Sequence, residues 1–336
     1  MPTVPYATAT TAPDAAPATA TAPVAIHSVR PVVLAAPSRG DDLQVRVSAP
    51  ATGTDLPVIV FAHGYGQSMT DYDPLVDHWA ADGFVVVQPT FLDSATLGLA
   101  PDDPRTPTIW QTRVDDLERV LDELDALVAA LPGLAGRVDL GRIAAAGHSW
   151  GGQTVGMLLG ARVVGPDGRP GASRRDDRVT AGVLLATTGL GGDDLTPFAA
   201  EHFSFMSPDF DELTVPSIVV AGDHDQSALS TRGPDWFTDV HHLSPGSRHL
   251  VTLVGGEHSL GGIHAYGSAS TTDESPARVD AVRRTTTAFL QEALGTRPGA
   301  WASAAASVDP DVARVESKEA ATIHRVDGSR PDRSRR

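Results

Sequence analysis

The sequence contains no cysteine, which excludes a disulfide framework, a thiolate nucleophile and any Cys-based zinc site. That absence fits either side of a membrane. Lysine is almost missing as well: Lys318, near the end of the chain, is the single one, so the folded core has no lysine for a general base or a Schiff base. Basic charge is scarce overall, with 26 Lys and Arg against 42 Asp and Glu and a formal net charge of -16. Such a chain repels phosphate backbones, and nucleic acid is not an expected partner. No apolar run reaches the roughly 18 residues of a transmembrane helix. The opening stretch to Pro23 has neither the basic n-region nor the apolar h-region of a secretory signal. A cytoplasmic location and no membrane span are the expectation.

What is present is ordered by hydropathy. The Ala/Thr/Pro-rich start cannot bury enough surface to offset chain entropy, so residues 1–25 read as a disordered tail. Residues 26–296 read as one catalytic domain. Residues 297–336, Ala/Ser-rich and then charged with a closing arginine cluster, read as a second tail, largely disordered or loosely docked. A short helix over 309–319 is conceivable there, and Val312, Val315 and Ile323 would supply any docking contact. Both tails are expected to be dispensable for turnover. Eight strand-like runs lie between them, at 29–35, 43–48, 57–62, 84–87, 142–146, 179–186, 215–221 and 250–254. Helical spacing appears at 71–81, 109–131, 152–161 and 276–294, with Val114, Leu117, Val120, Leu121, Leu124 and Leu127 forming one stripe. Continuous apolar strands alternating with amphipathic helices imply an α/β fold, a mostly parallel eight-stranded sheet covered on both faces. The first two runs, joined by a tight turn, suggest an antiparallel edge.

The most informative string is Gly147-His148-Ser149-Trp150-Gly151 between a buried strand and a helix. A serine on a sharp strand-to-helix turn projects its Oγ above the sheet, and glycines two residues to either side remove Cβ atoms that would collide there. The helix that follows aims its N-terminal amides at developing negative charge. A serine nucleophile needs a base, and the base an orienting carboxylate, in the chain order Ser, acid, His. Asp225 follows the strand at 215–221, and His258 follows the strand at 250–254 in a glycine-rich loop. Asp223 is the rival acid and His264 the rival base. Glu257 beside the histidine points elsewhere if the loop is extended, and His241 and His242 read as surface residues. A metal site from Asp223, His224 and Asp225 is disfavoured, because adjacent residues on a strand-end turn rarely converge on one ion. No cofactor is called for.

The third element is His63-Gly64-Tyr65-Gly66, directly after the run PVIVFA. A loop in this place supplies one oxyanion-hole amide and the residue after the nucleophile the other, which nominates the backbone N–H groups of Tyr65 and Trp150. His63 reads as a residue that pins the loop. The interval 187–214 is too short for a separate cap domain. Its Phe203, Phe205 and Met206, with Tyr65, Trp110 and Trp150, are the candidate lining of a substrate pocket.

With these motifs in this order the chain resembles the α/β-hydrolase superfamily over about residues 26–294. FAHGYG, WAADGFVVVQP and GHSWGGQT resemble its cap-less branch, which holds chlorophyllases, platelet-activating-factor acetylhydrolases and cutinase-like polyester hydrolases. The resemblance implies a serine hydrolase of carboxylic esters, with Ser149 as nucleophile, Asp225 as acid and His258 as base, acting on a small-molecule ester with a hydrophobic portion. The chain departs from the polyester hydrolases at 186–189 (Ala-Thr-Thr-Gly in place of an aromatic) and at Trp150 in place of Met, and it shows neither the signal peptide nor the disulfide of their secreted members, which together favour an intracellular enzyme of small esters. Amidases, lactonases, perhydrolases and acyltransferases share the same triad. The alternative of a different class is a binding protein that keeps the fold without catalysis.

Overall fold

The computed structural model describes residues 24–100 and 102–318. The expected tail to Pro23, Ile323 and the closing arginine cluster lie outside the described residues. One large sheet organises the described residues, built from β1 (Ile26–Leu34), β2 (Leu43–Pro50), β3 (Leu56–Ala62), β4 (Val85–Pro89), β5 (Val138–His148), β6 (Val179–Leu185), β7 (Ser217–Gly222), β8 (Ser247–Leu253) and β9 (Ala313–Ser317). Their spatial order is β1-β2-β4-β3-β5-β6-β7-β8-β9. The central pairs from β4 through β8 are parallel. β1 with β2, β2 with β4, and β8 with β9 are antiparallel. This is the α/β-hydrolase fold, with nine strands rather than the eight expected from sequence.

The helices are α1 (Asp73–Ala81), α2 (Ile109–Asp122), α3 (Leu124–Ala130), α4 (Trp150–Leu158), α5 (Pro197–His202), α6 (Asp239–Leu243), α7 (Pro276–Ala293) and α8 (Ala300–Ala306). Period-two alternation along the buried strands sorts side chains between two cores. Val58 and Val60 of β3 face one core with Val114, Leu117 and Val120 of α2. Ile59 and Phe61 face the other with Trp79 of α1 and Val282 of α7. The one helix expected over 109–131 is divided at Glu123 (φ -104°, ψ 14°) into α2 and α3. Between β6 and β7 stand only α5, a 3-10 turn and a two-residue strand that pairs with Arg162–Val163, so among the described residues no cap domain is inserted there over the strand ends.

The ninth strand arises from the stretch after Pro298 that the sequence presents as a tail. Its residues alternate, with Ala313 buried, Val315 half-buried, and Arg314 and Glu316 exposed, the pattern of a half-solvated edge strand. Five residues carry too short a signal to separate from a charged tail. In place, Val315 pairs with Val251, and Trp301 of α8 stacks on His249 at 3.9 Å between centroids. Residues 309–312 lead into β9 and are not helical. Deleting residues 298–336 uncovers the β8 edge and the Trp301 face. We expect Tm to fall by about 5 °C, since each kcal/mol lost is worth about 2–4 °C in a domain of about 150–250 residues and somewhat less in a larger one. Scanning calorimetry of the truncated chain measures it; an unchanged Tm would make the docked segment energetically irrelevant.

Candidate active site

Four strands that run parallel carry the sequence-nominated residues past their C-terminal ends, which puts them all on one rim of the sheet. Ala62 of β3 pairs with Gly147 of β5, and Leu253 of β8 with Gly222 of β7. The loops after these residues hold His63–Gly66, Ser149, Asp225 and His258. Ser149 has φ 56° and ψ -123°, the left-handed, strained conformation that lifts its side chain off the strand. The flanking glycines are obligatory. A Cβ on Gly147 would sit 2.2 Å from the Gly151 carbonyl oxygen, and one on Gly151 would sit 2.0 Å from that of Ala62.

Ser149 Oγ lies 2.9 Å from His258 Nε2. On the far side of the ring, Nδ1 lies 2.9 and 3.2 Å from the two oxygens of Asp225, so Nδ1–H donates to the carboxylate and Nε2 is left to accept from the serine. Asp225 is fully buried, whereas the His258 ring is reachable, its side chain 43% exposed. The rivals are turned away. Asp223 accepts from Gly255 N–H at 2.6 Å and from Arg314 of β9 at 2.7 Å. His264 is buried with Nε2 near Ser259 and Ser270 Oγ. Glu257 accepts from Thr272 Oγ1. His241, expected at the surface, is buried and bonded to Ser247 Oγ at 2.8 Å. Asp223, His224 and Asp225 do not converge, and among the described residues no group of three His, Asp or Glu is placed to hold a metal ion.

The amides of Tyr65 and Trp150 are donated to no protein acceptor among the described residues, and the Tyr65 ring meets the Trp150 ring edge-on at 4.8 Å. The loop that carries Tyr65 is fastened from beneath. Phe91 N–H donates to His63 Nε2 at 3.0 Å and His63 Nδ1–H to the Gly64 carbonyl at 2.7 Å. Burial, and next the Arg113 charge, push the His63 imidazole down to about 3, which keeps this neutral tautomer. Arg113 of α2 grips both oxygens of Asp93 at 2.7 and 2.8 Å and also donates to the His63 carbonyl. Asp93 in turn accepts from Gly66 N–H at 3.4 Å. Sequence reasoning missed this bracket. Its signal was a charged residue on an apolar stripe, since Arg113 falls four residues from both Ile109 and Leu117.

A second fastening runs through the buried Tyr72, also unrecognised from sequence. Gly64 N–H donates to Tyr72 Oη at 3.0 Å, and that hydroxyl lies 2.8 Å from His148 Nδ1. His148 Nε2 lies 2.8 Å from the carbonyl of His258. A carbonyl only accepts, so Nε2 carries the proton and Tyr72 donates to Nδ1. Burial, followed by the neighbouring His258 and His264, holds His148 well below the ordinary histidine range, so it stays neutral. One chain of hydrogen bonds thus joins the Tyr65 loop, the serine turn and the His258 loop. Tyr72→Phe leaves a buried amide and a buried imidazole nitrogen unpartnered, at about 1–3 kcal/mol. We expect kcat to fall about tenfold with KM within about threefold, read by steady-state kinetics; an equal loss in a variant that unfolds at assay temperature would mark the role as merely structural.

An apolar cavity of about 290 Å³ opens beside Ser149 and His258. Of the nominated lining, Tyr65, Trp150, Phe203 and Met206 border it. Phe205 and Trp110 do not. They stack on each other at 5.6 Å behind Trp150 and border a separate groove. Leu229, Trp236 and Phe237, with the hydroxyl residues Thr188 and Ser227, complete the cavity, and the Phe237 ring lies 5.5 Å from His258. The aromatic pair in PDWFTDV was the overlooked cue.

Residues 25–161 match the family described as chlorophyllase, a family within the α/β-hydrolase superfamily. No curated protein matches the chain. The matched segment runs from β1 through α4. It therefore includes the Tyr65 loop and the Ser149 turn and stops short of Asp225 and His258.

Proposed function

We propose that this α/β-hydrolase cleaves carboxylic esters through an acyl-enzyme on Ser149. The observation that carries the reading is the line of hydrogen bonds Ser149–His258–Asp225, which meets two undonated amides at the mouth of an apolar cavity. His258 Nε2 takes the Ser149 proton as Oγ attacks the ester carbonyl, and the oxyanion accepts from the N–H groups of Tyr65 and Trp150. Collapse breaks the bond to the alcohol oxygen, which leaves with the proton from Nε2. Water then enters, gives its proton to His258 and attacks the acyl carbon. The acid departs and the proton returns to Ser149 Oγ. Asp225 holds the imidazole in the tautomer that accepts from serine and stabilises the imidazolium between steps. Each amide of the oxyanion pair is worth about 2.7–4 kcal/mol in the transition state. The steps need no cofactor, and the apolar cavity supports an ester with a hydrophobic portion.

A fluorophosphonate probe tests the reading. It should label one residue, Ser149, read as a mass increment on the peptide that contains it, and prior labelling should abolish turnover of p-nitrophenyl butyrate. Absence of labelling together with absence of turnover would reassign the protein to a binding role.

A further inference from the structure

Ser149 stands in a wall shared by two cavities, since Tyr65, Ser149 and His258 border both. One is the apolar cavity described above. The other, about 550 Å³, is bordered by Gln67, Gln226, Glu257, His264, Ser270 and Thr272, none of which belongs to the triad or the oxyanion pair. Amide, hydroxyl, imidazole and carboxylate groups dominate one side, and Leu229, Trp236, Phe237 and Met206 dominate the other, where Thr188 and Ser227 are the polar exceptions.

We propose that the polar cavity binds the alcohol portion of the ester, that this alcohol carries no negative charge and bears free hydroxyl groups, and that the apolar cavity takes a short acyl chain. The inference rests on the reading of Ser149 as nucleophile and adds the substrate class. The sidedness follows from proton transfer. The departing oxygen must lie beside His258 Nε2, and the polar cavity is bordered by Glu257, His258 and Ser259 in succession. The apolar cavity shares His258 but not its neighbours Glu257 and Ser259, and is bordered by Trp150, whose amide faces the oxyanion. The chemistry of the alcohol follows from the lining. Amide and hydroxyl side chains offer both donors and acceptors, which suits alcohol groups that themselves do both. Glu257 is the single carboxylate among the residues that border the cavity, and it repels an anionic alcohol. His264 is only 6% exposed, and its Nδ1 has no partner among the described residues. An alkyl group in this place would strip water from these groups and return no hydrogen bonds.

Two isomeric esters separate the orientations. Glyceryl 1-monobutyrate carries an apolar acyl chain on a polar alcohol, and n-butyl glycerate carries the reverse. The α-hydroxyl of the glycerate activates its carbonyl, so intrinsic reactivity runs against the expected order. We expect kcat/KM for the monobutyrate to exceed that for the glycerate, and that for n-propyl butyrate, at least tenfold. In Gln226→Leu and Thr272→Val, both at exposed positions, the ratio of monobutyrate to propyl butyrate should fall at least threefold. Equal or reversed specificity in a preparation that hydrolyses p-nitrophenyl butyrate would overturn this inference alone, as would an unchanged ratio in both variants. Failure to hydrolyse p-nitrophenyl butyrate would overturn the reading of Ser149 and this inference with it.

Discussion

Ser149→Ala is expected to lower kcat for p-nitrophenyl butyrate by on the order of 10³–10⁶, the range in which removal of a serine nucleophile leaves only oxyanion stabilisation and binding. The substitution removes one oxygen from a turn whose shape is held by other atoms. Ser149 N–H donates to the Leu185 carbonyl at 2.9 Å and Gln153 N–H to the Ser149 carbonyl at 3.2 Å, and neither bond involves the side chain. Alanine at φ 56° bears the same backbone strain as serine. The protein should therefore fold with an unchanged Tm, and KM should stay within a few-fold. Retained turnover in the purified variant would place the chemistry elsewhere.

Asp225→Asn should cut kcat by about 10⁴ with the fold intact, the loss typical of a triad whose histidine is turned into the wrong tautomer. The amide NH₂ of asparagine donates where the carboxylate accepted. His258 Nδ1 then becomes an acceptor and the proton moves to Nε2, which can no longer take one from Ser149. Burial sharpens the effect, because no water reaches Asp225 to compensate. Asp223→Asn is the control. Its partners are Gly255 and Arg314, its ion pair is partly exposed, and such pairs are worth about 0–1 kcal/mol. Turnover should change less than about threefold. A reversal of the two effects would exchange the roles of the two aspartates and leave the serine chemistry standing.

Much of the site is legible in one dimension because its parts sit at strand ends. A buried parallel strand announces itself as an unbroken apolar run, and the residues just past its C-terminal end inherit a place on the rim. That logic led to Ser149, Asp225, His258 and the Tyr65 loop, and the distances place the three side chains within hydrogen-bonding reach of one another. It favoured Asp225 over Asp223, two residues apart on the same turn, with no geometry to show why. The separation comes from Arg314, on a strand that enters the sheet from the end of the chain and draws Asp223 away. Tyr72 escaped notice for a similar reason. Its partners, Gly64 and His148, are eight and 76 residues distant, and a tyrosine in a loop carries no mark of its burial.

The sequence by itself determined the fold class, the two-faced core, the turn that bears Ser149 and the chain order of its partners. Each is written in local periodicity or in a short motif whose backbone geometry admits few residues. Only the tertiary structure decided which aspartate faces the histidine, which aromatics border the cavity, that Arg113 and Tyr72 fasten the loops, and that residues 313–317 close the sheet as a ninth strand. Those are choices among contacts distant in sequence. They depend on which side chains the packed sheet brings within a few ångströms, and no local pattern encodes that distance.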